Sequence, residues 1–252
     1  MKLHIHMSPA DTLAAQPGVE DVYIVIDLIR ATTAITTMFD QGAKRVFAAD
    51  TVEQARKAAQ LKPGRLLCGE RNAQALPDFD YGNSPAQFAQ SDLSNQELIL
   101  TTTNGTRAFY ACPEQSIRLA GCFYNARAVT ACALRYARKQ HSNISIVCAA
   151  ENGFFALDDA VCAGYLAQEI QHQQPDINCH ESVTAARGLY QLYPPSILPS
   201  HCHSAQQVIA AGIGDDIDFC MRQNASDSIA QIVGKEHETG LLILERIAND
   251  PG

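Results

Sequence analysis

The sequence predicts an α/β fold in which strands and helices alternate around a largely parallel or mixed sheet. Three observations predict it. Short apolar runs alternate with helix-like stretches as far as residue 171, the pattern of βαβ units. Several of the runs are apolar on both phases, as strands covered on both faces are. The runs also end in Asp, Arg, Thr and Asn, at the carboxyl edge where parallel sheets bind ligands.

The elements follow in order. "VYIVIDLI" (22–29) reads as a buried strand, and "RATTAITTMFDQGA" as the next helix, closed near Gly42. "KRVFAA" (44–49) is a second strand. Asp50, with Glu53 three residues on, suits the N-cap of a helix over "TVEQARKAAQL". "RLLCG" (65–69) is a short strand, followed by a polar loop over 70–86. Ser84 and Pro85 form a cap and first position for a new helix. "ELILTT" (97–102) is a strand that enters a short helix through Asn104-Gly105. "IRLAG" (117–121) is a strand, and a helix over 125–140 begins at Asn125. "NISIVCAA" (143–150) is a strand, and a helix over 156–171 opens on acids that suit its dipole. Beyond it, 191–200 reads as a connector, helices fit 204–212 and "DDIDFCMRQN", and "LLILERI" (241–247) is a last strand.

A weak internal echo accompanies this order. "RATTAI" followed by "AKRVFAADTVEQARKAAQL" resembles "NGTRAF" followed by "SIRLAGCFYNARAVTACAL", about 70–75 residues later. The length admits a single α/β domain over 1–252, or two lobes with the site between them.

Composition narrows the function. A net charge of −8 disfavours nucleic acid as a partner. No run is long and apolar enough for a membrane span, and the N-terminus has no apolar core of a signal peptide. Nine cysteines, an odd number without a C-x-x-C pair, fit reduced and mostly buried thiols. A cytoplasmic location is the expectation, and a homo-oligomer is compatible with all of this.

Four strand ends carry the candidate chemistry: Asp27 to Thr33, Gly69 to Arg71, Thr101 to Thr106, and Glu151 to Asp159. A carboxylate ending an apolar strand, as Asp27 does, needs a partner or a cation. Arg30, Thr32 and Thr33 then sit where a helix N-terminus offers an anion site. Asn104-Gly105 allows close backbone approach, with Thr103 and Thr106 as hydroxyl donors. Asp158-Asp159 have the oxygen chemistry of ligands to a hard cation. Carboxylates together with arginines and Thr-rich turns suit phosphoryl transfer. "HIH" (4–6) reads as a solvent-facing pair on a strand, "HCH" (201–203) lacks partner ligands at a recognised spacing, and Cys148 reads as a core thiol.

Together, "DLIRATT" (27–33), "GER" (69–71), "FDYGNSP" (79–85), "TTNGT" (102–106) and "LDDAVCAG" (157–164) resemble the 2-phosphosulfolactate phosphatase family, in that family's order. The resemblance extends weakly through "SAQQVIAAGIGDDIDFC". It implies an α/β fold distinct from the standard Rossmann domain. It also implies a Mg²⁺-dependent enzyme that hydrolyses 2-phosphosulfolactate, a small anionic phosphoester, on the route to coenzyme M. Under it, Asp27, Asp80, Asp159 and Glu70 are expected to bind Mg²⁺, and Arg30 and Arg71 to clamp the ester, with Asp27, Arg30, Arg71 and Asp80 as the catalytic set. Thr32, Thr33, Asn83, Ser84, Thr103, Asn104, Gly105 and Thr106 are expected to cradle phosphate. A covalent phospho-enzyme, if one forms, is expected on Asp27. Departures from the family pattern are Asn72 after "GER", Asp158 in place of glutamate, Ala150-Glu151-Asn152-Gly153 where a Gly-rich turn is expected, and a C-terminal tail that matches poorly.

Two rival readings stand beside it. A haloacid-dehalogenase-type phosphatase expects D-x-D-x-T, but Ile29 stands where the second Asp belongs. A non-catalytic anion-binding or regulatory module keeps the arginines and turns and needs no metal-binding acids.

Overall fold

The computed structural model describes residues 1–248. The chain opens with β1 (Lys2–His6), α1 (Pro9–Ala15), β2 (Val22–Ile26), α2 (Ala31–Asp40), β3 (Arg45–Ala48), α3 (Val52–Leu61) and β4 (Leu66–Arg71). It continues through β5 (Gln74–Ala75), α4 (Pro85–Phe88), β6 (Glu97–Thr101), α5 (Gly105–Ala111), β7 (Ile117–Gly121), α6 (Ala126–Gln140) and β8 (Ile144–Cys148). The last third holds α7 (Leu157–Gln173), β9 (Asn178–Cys179), α8 (Glu181–Leu192), α9 (His203–Ala210), α10 (Asp215–Cys220), β10 (Ile229–Lys235) and β11 (Leu242–Ile247). None of the described helices is long and apolar enough to cross a membrane.

One open mixed sheet carries all eleven strands, in the order β5-β4-β6-β3-β11-β10-β7-β2-β8-β1-β9. Its eight central strands form a palindrome: β4 answers to β8, β6 to β2, β3 to β7 and β11 to β10. The echo in the sequence is therefore a topological repeat, β2-α2-β3-α3-β4 against β6-α5-β7-α6-β8, with the second unit about 75 residues after the first. Each unit lends its first strand to the other half-sheet. Thus β2 pairs in parallel with β7 and β8, and β6 pairs in parallel with β3 and β4.

The two parallel halves are joined through β10 and β11 by antiparallel pairings only. On a flat sheet their carboxyl ends would lie on opposite edges. Strands twist by about 20–25° relative to each neighbour, and that twist accumulates across the hairpin. The ends of β2, β4, β6 and β8 all reach one cavity, so the sheet coils far enough to bring the two edges together.

Period-2 alternation divides the core between the two faces. Ile24 and Ile26 pack in the cluster of Leu3, Ile146 and Leu166, whereas Tyr23 and Val25 pack with Ile35, Met38, Leu98 and Phe109.

Several expected elements differ in detail. The strand expected over 22–29 stops at Ile26, because residues 27–30 peel away to form the cavity. The cap of α3 is Thr51, whose side chain accepts from Gln54 N–H, rather than Asp50. Asn125 makes no capping bond to α6. Its amide instead donates to the carbonyls of Ala120 and Ser228 and accepts from Cys122 N–H, inside the core. Ser84 does cap α4, with Pro85 in the first turn. His6 is buried rather than solvent-facing.

Candidate active site

A cavity of about 90 Å³ opens where the two half-sheets meet. Asp27 and Arg30 reach it from the loop after β2, and Glu70 and Ala73 from the end of β4. Thr103 and Asn104 come from the end of β6, and Ala150, Glu151 and Asn152 from the end of β8. Asp158 and Asp159 enter from the start of α7, and Ser204 and Gln207 from α9. The four polar strand ends picked out in the sequence are thus brought to one place.

Of the expected site residues, Asp27, Arg30, Glu70, Asn83, Thr103, Asn104 and Asp159 line this cavity. Asp27 is buried and its Oδ1 accepts from Ala31 N–H at 3.1 Å, holding the acid against the start of α2. Asp159 accepts from Leu28 N–H at 2.9 Å and from Ala150 N–H at 3.1 Å, tying together the ends of β2 and β8. Glu70 accepts from Ala73 N–H and, through its other oxygen, from both the N–H and the hydroxyl of Thr103. Asn104 Oδ1 accepts from Asn152 N–H at 3.1 Å. Asn83 is buried and its Oδ1 has no hydrogen-bond partner.

The other expected residues do not reach the cavity wall. Asp80 is exposed and its Oδ2 accepts from Leu67 N–H at 2.7 Å, so it anchors β4 and does not join the other acids. Arg71 turns its guanidinium to the Glu70 carbonyl and the Thr101 hydroxyl. The hydroxyls of Thr32 and Thr33 fold back onto the carbonyls of Asp27 and Leu28, closing the loop and not cradling a ligand. Ser84 Oγ donates to Asp216 at 2.5 Å. Thr106 Oγ1 is buried without a partner away from the cavity. Gly105 packs behind Asp27: a Cβ there would lie 2.5 Å from both Asp27 Oδ2 and Ala31 Cβ. The Asn-Gly turn therefore serves close approach between the two repeat units.

Charge is lopsided. Five carboxylates, from Asp27, Glu70, Glu151, Asp158 and Asp159, face one guanidinium, that of Arg30. Arg30 is itself buried and already paired with Asp216 at 2.7 Å. Burial pushes the Asp27 carboxyl up to about 7, reinforced by Asp158 and Glu70 and opposed by the Ala31 N–H and Arg30. Burial and the Glu151 carboxylate raise Asp158 to about 6. Asp159 is also held well above the usual carboxylate range, by burial first and then by Asp158 and Asp27.

Such a cluster of hard oxygen donors suits a divalent cation, which relieves the repulsion. Among the described residues no three His, Cys, Asp or Glu side chains form a ready-made metal cage. Mg²⁺ is ordinarily held by one or two carboxylates, with water and substrate phosphate completing its shell, and the cavity offers oxygen donors of that kind in Asp27, Asp158 and Asp159.

Asp216 is given no site role by the sequence reading, and Asp158 and Glu151 are noted at a strand end but not placed in the expected set. Asp216 is buried against Arg30 and Ser84, and its signal was an acid on the apolar side of a short helix, in phase with Phe219 and Cys220. Asp158 was visible as half of an acid pair, with nothing in the sequence to say that both halves turn inward. Glu151 lies in a tight turn closed by mutual backbone bonds with Phe154, and it also binds His203 Nδ1 at 2.7 Å. That contact gives His203, of the "HCH" stretch, a partner beside the cavity.

The fold and site are thus those of an α/β protein with an acid-rich cavity at the ends of four strands. The chain belongs to the 2-phosphosulpholactate phosphatase family, whose model matches residues 8–235. That makes it a member of a family of phosphoric monoester hydrolases. It is 32% identical to a probable 2-phosphosulfolactate phosphatase of Thermotoga petrophila over 83% of this chain and 88% of that protein. It is 33% identical to one from Deinococcus radiodurans over 84% and 88% of the two chains. A third, from Gloeothece citriformis, is 29% identical over 96% and 99%.

Proposed function

We propose that this chain is a Mg²⁺-dependent phosphatase that hydrolyses 2-phosphosulfolactate, or a closely related small anionic phosphoester, to sulfolactate and inorganic phosphate. The substrate is taken from its relatives, which are named probable 2-phosphosulfolactate phosphatases. The observation that carries the metal dependence is the charge imbalance, five carboxylates against one guanidinium that is already paired. A polyanion is repelled from such a cavity unless a cation precedes it. Asp27 and Asp158 would hold Mg²⁺, with Asp159 beside them. When bound there, the ion supplies Lewis-acid polarisation of the phosphoryl group and neutralises its developing charge.

The chain's own residues supply the rest. Arg30 keeps three of its five N–H donors after the bonds to Asp216 and the Ala73 carbonyl, and it turns them to the ester. Asn83 places at the cavity a buried amide whose unpartnered Oδ1 can accept from an O–H or N–H of the bound substrate or water, and Asn104 is held by Asn152 N–H. Glu70 holds Thr103 and Ala73 in register and so shapes the floor. All nine cysteines are free thiols, which supports work in a reducing, cytoplasmic compartment.

The test is phosphate release from a panel of small phosphoesters, 2-phosphosulfolactate among them, with Mg²⁺ and with chelator. Turnover confined to Mg²⁺ and fastest on the sulfonated ester supports the reading. Equal rates across the panel remove the substrate assignment, and rates untouched by chelation remove the metal.

A further inference from the structure

We propose that Asp216 is a positioning residue that holds the Arg30 guanidinium ready for an incoming anion and fixes the segment that carries Asn83 to the cavity. This inference rests on the function proposed above. Asp216 lies on α10, in a part of the chain where no site residue was expected. Its carboxylate nonetheless binds two segments of the site at once. One oxygen pairs with Arg30 Nη1 at 2.7 Å, and the two side chains are 3% and 1% exposed. The other accepts from the Ser84 hydroxyl at 2.5 Å and from Ala86 N–H at 3.2 Å. Ser84 and Ala86 flank the start of α4, directly after Asn83, a residue that lines the cavity and whose buried Oδ1 has no partner.

A lone guanidinium among five cavity-lining carboxylates would otherwise spend its donors on them. Asp216, which does not itself line the cavity, supplies a competing charge. The guanidinium then keeps free N–H donors directed at an incoming anion, and the α4 loop keeps Asn83 alongside.

The test uses Asp216→Asn, Arg30→Lys and the double variant, each with two readouts. One is the steady-state KM and kcat on the phosphoester that the wild type turns over. The other is the Kd of inorganic phosphate by calorimetry in Mg²⁺, which needs no turnover. In D216N, KM and the phosphate Kd should rise at least about tenfold while kcat stays within about threefold. Adding R30K to D216N should produce no further multiplicative loss, because both act through one guanidinium. A merely structural role would lower the folded fraction, and hence kcat, with Kd unmoved. A Kd within about twofold of wild type, or fully multiplicative effects with R30K, overturns the proposal. Should D216N fail to fold, D216E, which keeps the charge and displaces it by one methylene, is read by the same criteria. A wild type that binds phosphate but turns over no phosphoester refutes the proposed function instead, and the Kd comparison then judges Asp216 on its own.

Discussion

Asp159, in the first turn of α7, accepts a hydrogen bond from the backbone N–H of Leu28 at 2.9 Å. Its second oxygen accepts from Ala150 N–H. One carboxylate thus fastens the ends of two neighbouring parallel strands to the helix that covers them, and it does so beside two other buried acids. In Asp159→Ala two buried N–H groups lose their acceptor, at about 1–3 kcal/mol each. Relief of repulsion with Asp27 and Asp158 offsets part of this. The expected net loss of stability is about 1–4 kcal/mol by urea titration, together with loss of activity. A variant as stable as wild type would show that the bonds are dispensable.

Gly105→Ala tests the contact between the repeat units. The new methyl would meet Asp27 Oδ2 and Ala31 Cβ at 2.5 Å, so α5 or the Asp27 loop has to move. Overpacking of this kind costs about 1–3 kcal/mol. Displacing a carboxylate of the site by even about 1 Å should lower kcat/KM roughly a hundredfold. Thermal melts and kinetics on the one variant check both expectations, and unchanged kinetics would mean that Asp27 tolerates the shift.

Asp80 and Asp158 form a contrasting pair. Asp80 is exposed and braces Leu67, whereas Asp158 is buried in the cavity wall. Asp80→Ala should keep kcat/KM within about threefold, with a stability change on the order of 0.5 kcal/mol. Asp158→Ala should lower kcat/KM by about two orders of magnitude or more. The reverse ranking would restore the expectation drawn from the "FDYGNSP" motif.

That contrast shows where the sequence was readable. Apolar runs with polar ends identified β2, β3, β4, β6, β7 and β8 and the helices between them, although two of the expected caps, Asp50 and Asn125, do not cap. The repeat was audible as an echo, but the exchange of β2 and β6 between half-sheets is a long-range pairing that local pattern does not encode. Strand ends told which segments meet in the cavity. They did not tell which side chains face it: Thr32 and Thr33 turn back to the loop, Asp80 turns to β4, and Asp216 arrives from a short helix about 190 residues after Arg30. Such choices are made by packing in three dimensions. The elements α1, α8 and β10 were missed because their amphipathic signals are short or lie among prolines and polar residues.

The raised acids set a pH dependence whose sign follows from linkage. Asp27 lies near 7 and Asp158 near 6 in the folded protein, against about 3.8 for an ordinary aspartate. Between about pH 4 and 7 the native state therefore binds more protons than the unfolded chain, and stability falls as pH rises. Each such group contributes at most about 1.4 kcal/mol per pH unit. In metal-free protein, the difference in unfolding free energy between wild type and Asp27→Asn should change by that order across the window, with wild type losing ground as pH rises. With saturating Mg²⁺ the trend should flatten, because the ion favours the ionised acids. A pH-independent difference would mean that burial does not raise the Asp27 carboxyl in the folded protein.

The central claim is that the acids of this cavity hold a divalent cation. Its most direct measurement is anomalous scattering from crystals of the protein grown with Mn²⁺ as a stand-in for Mg²⁺. The account predicts a peak in the cavity within bonding distance of Asp27 and Asp158, lost in the Asp27→Asn, Asp158→Asn double variant. A fully formed cavity with no peak at saturating Mn²⁺, or a peak held only by residues outside it, would contradict the account.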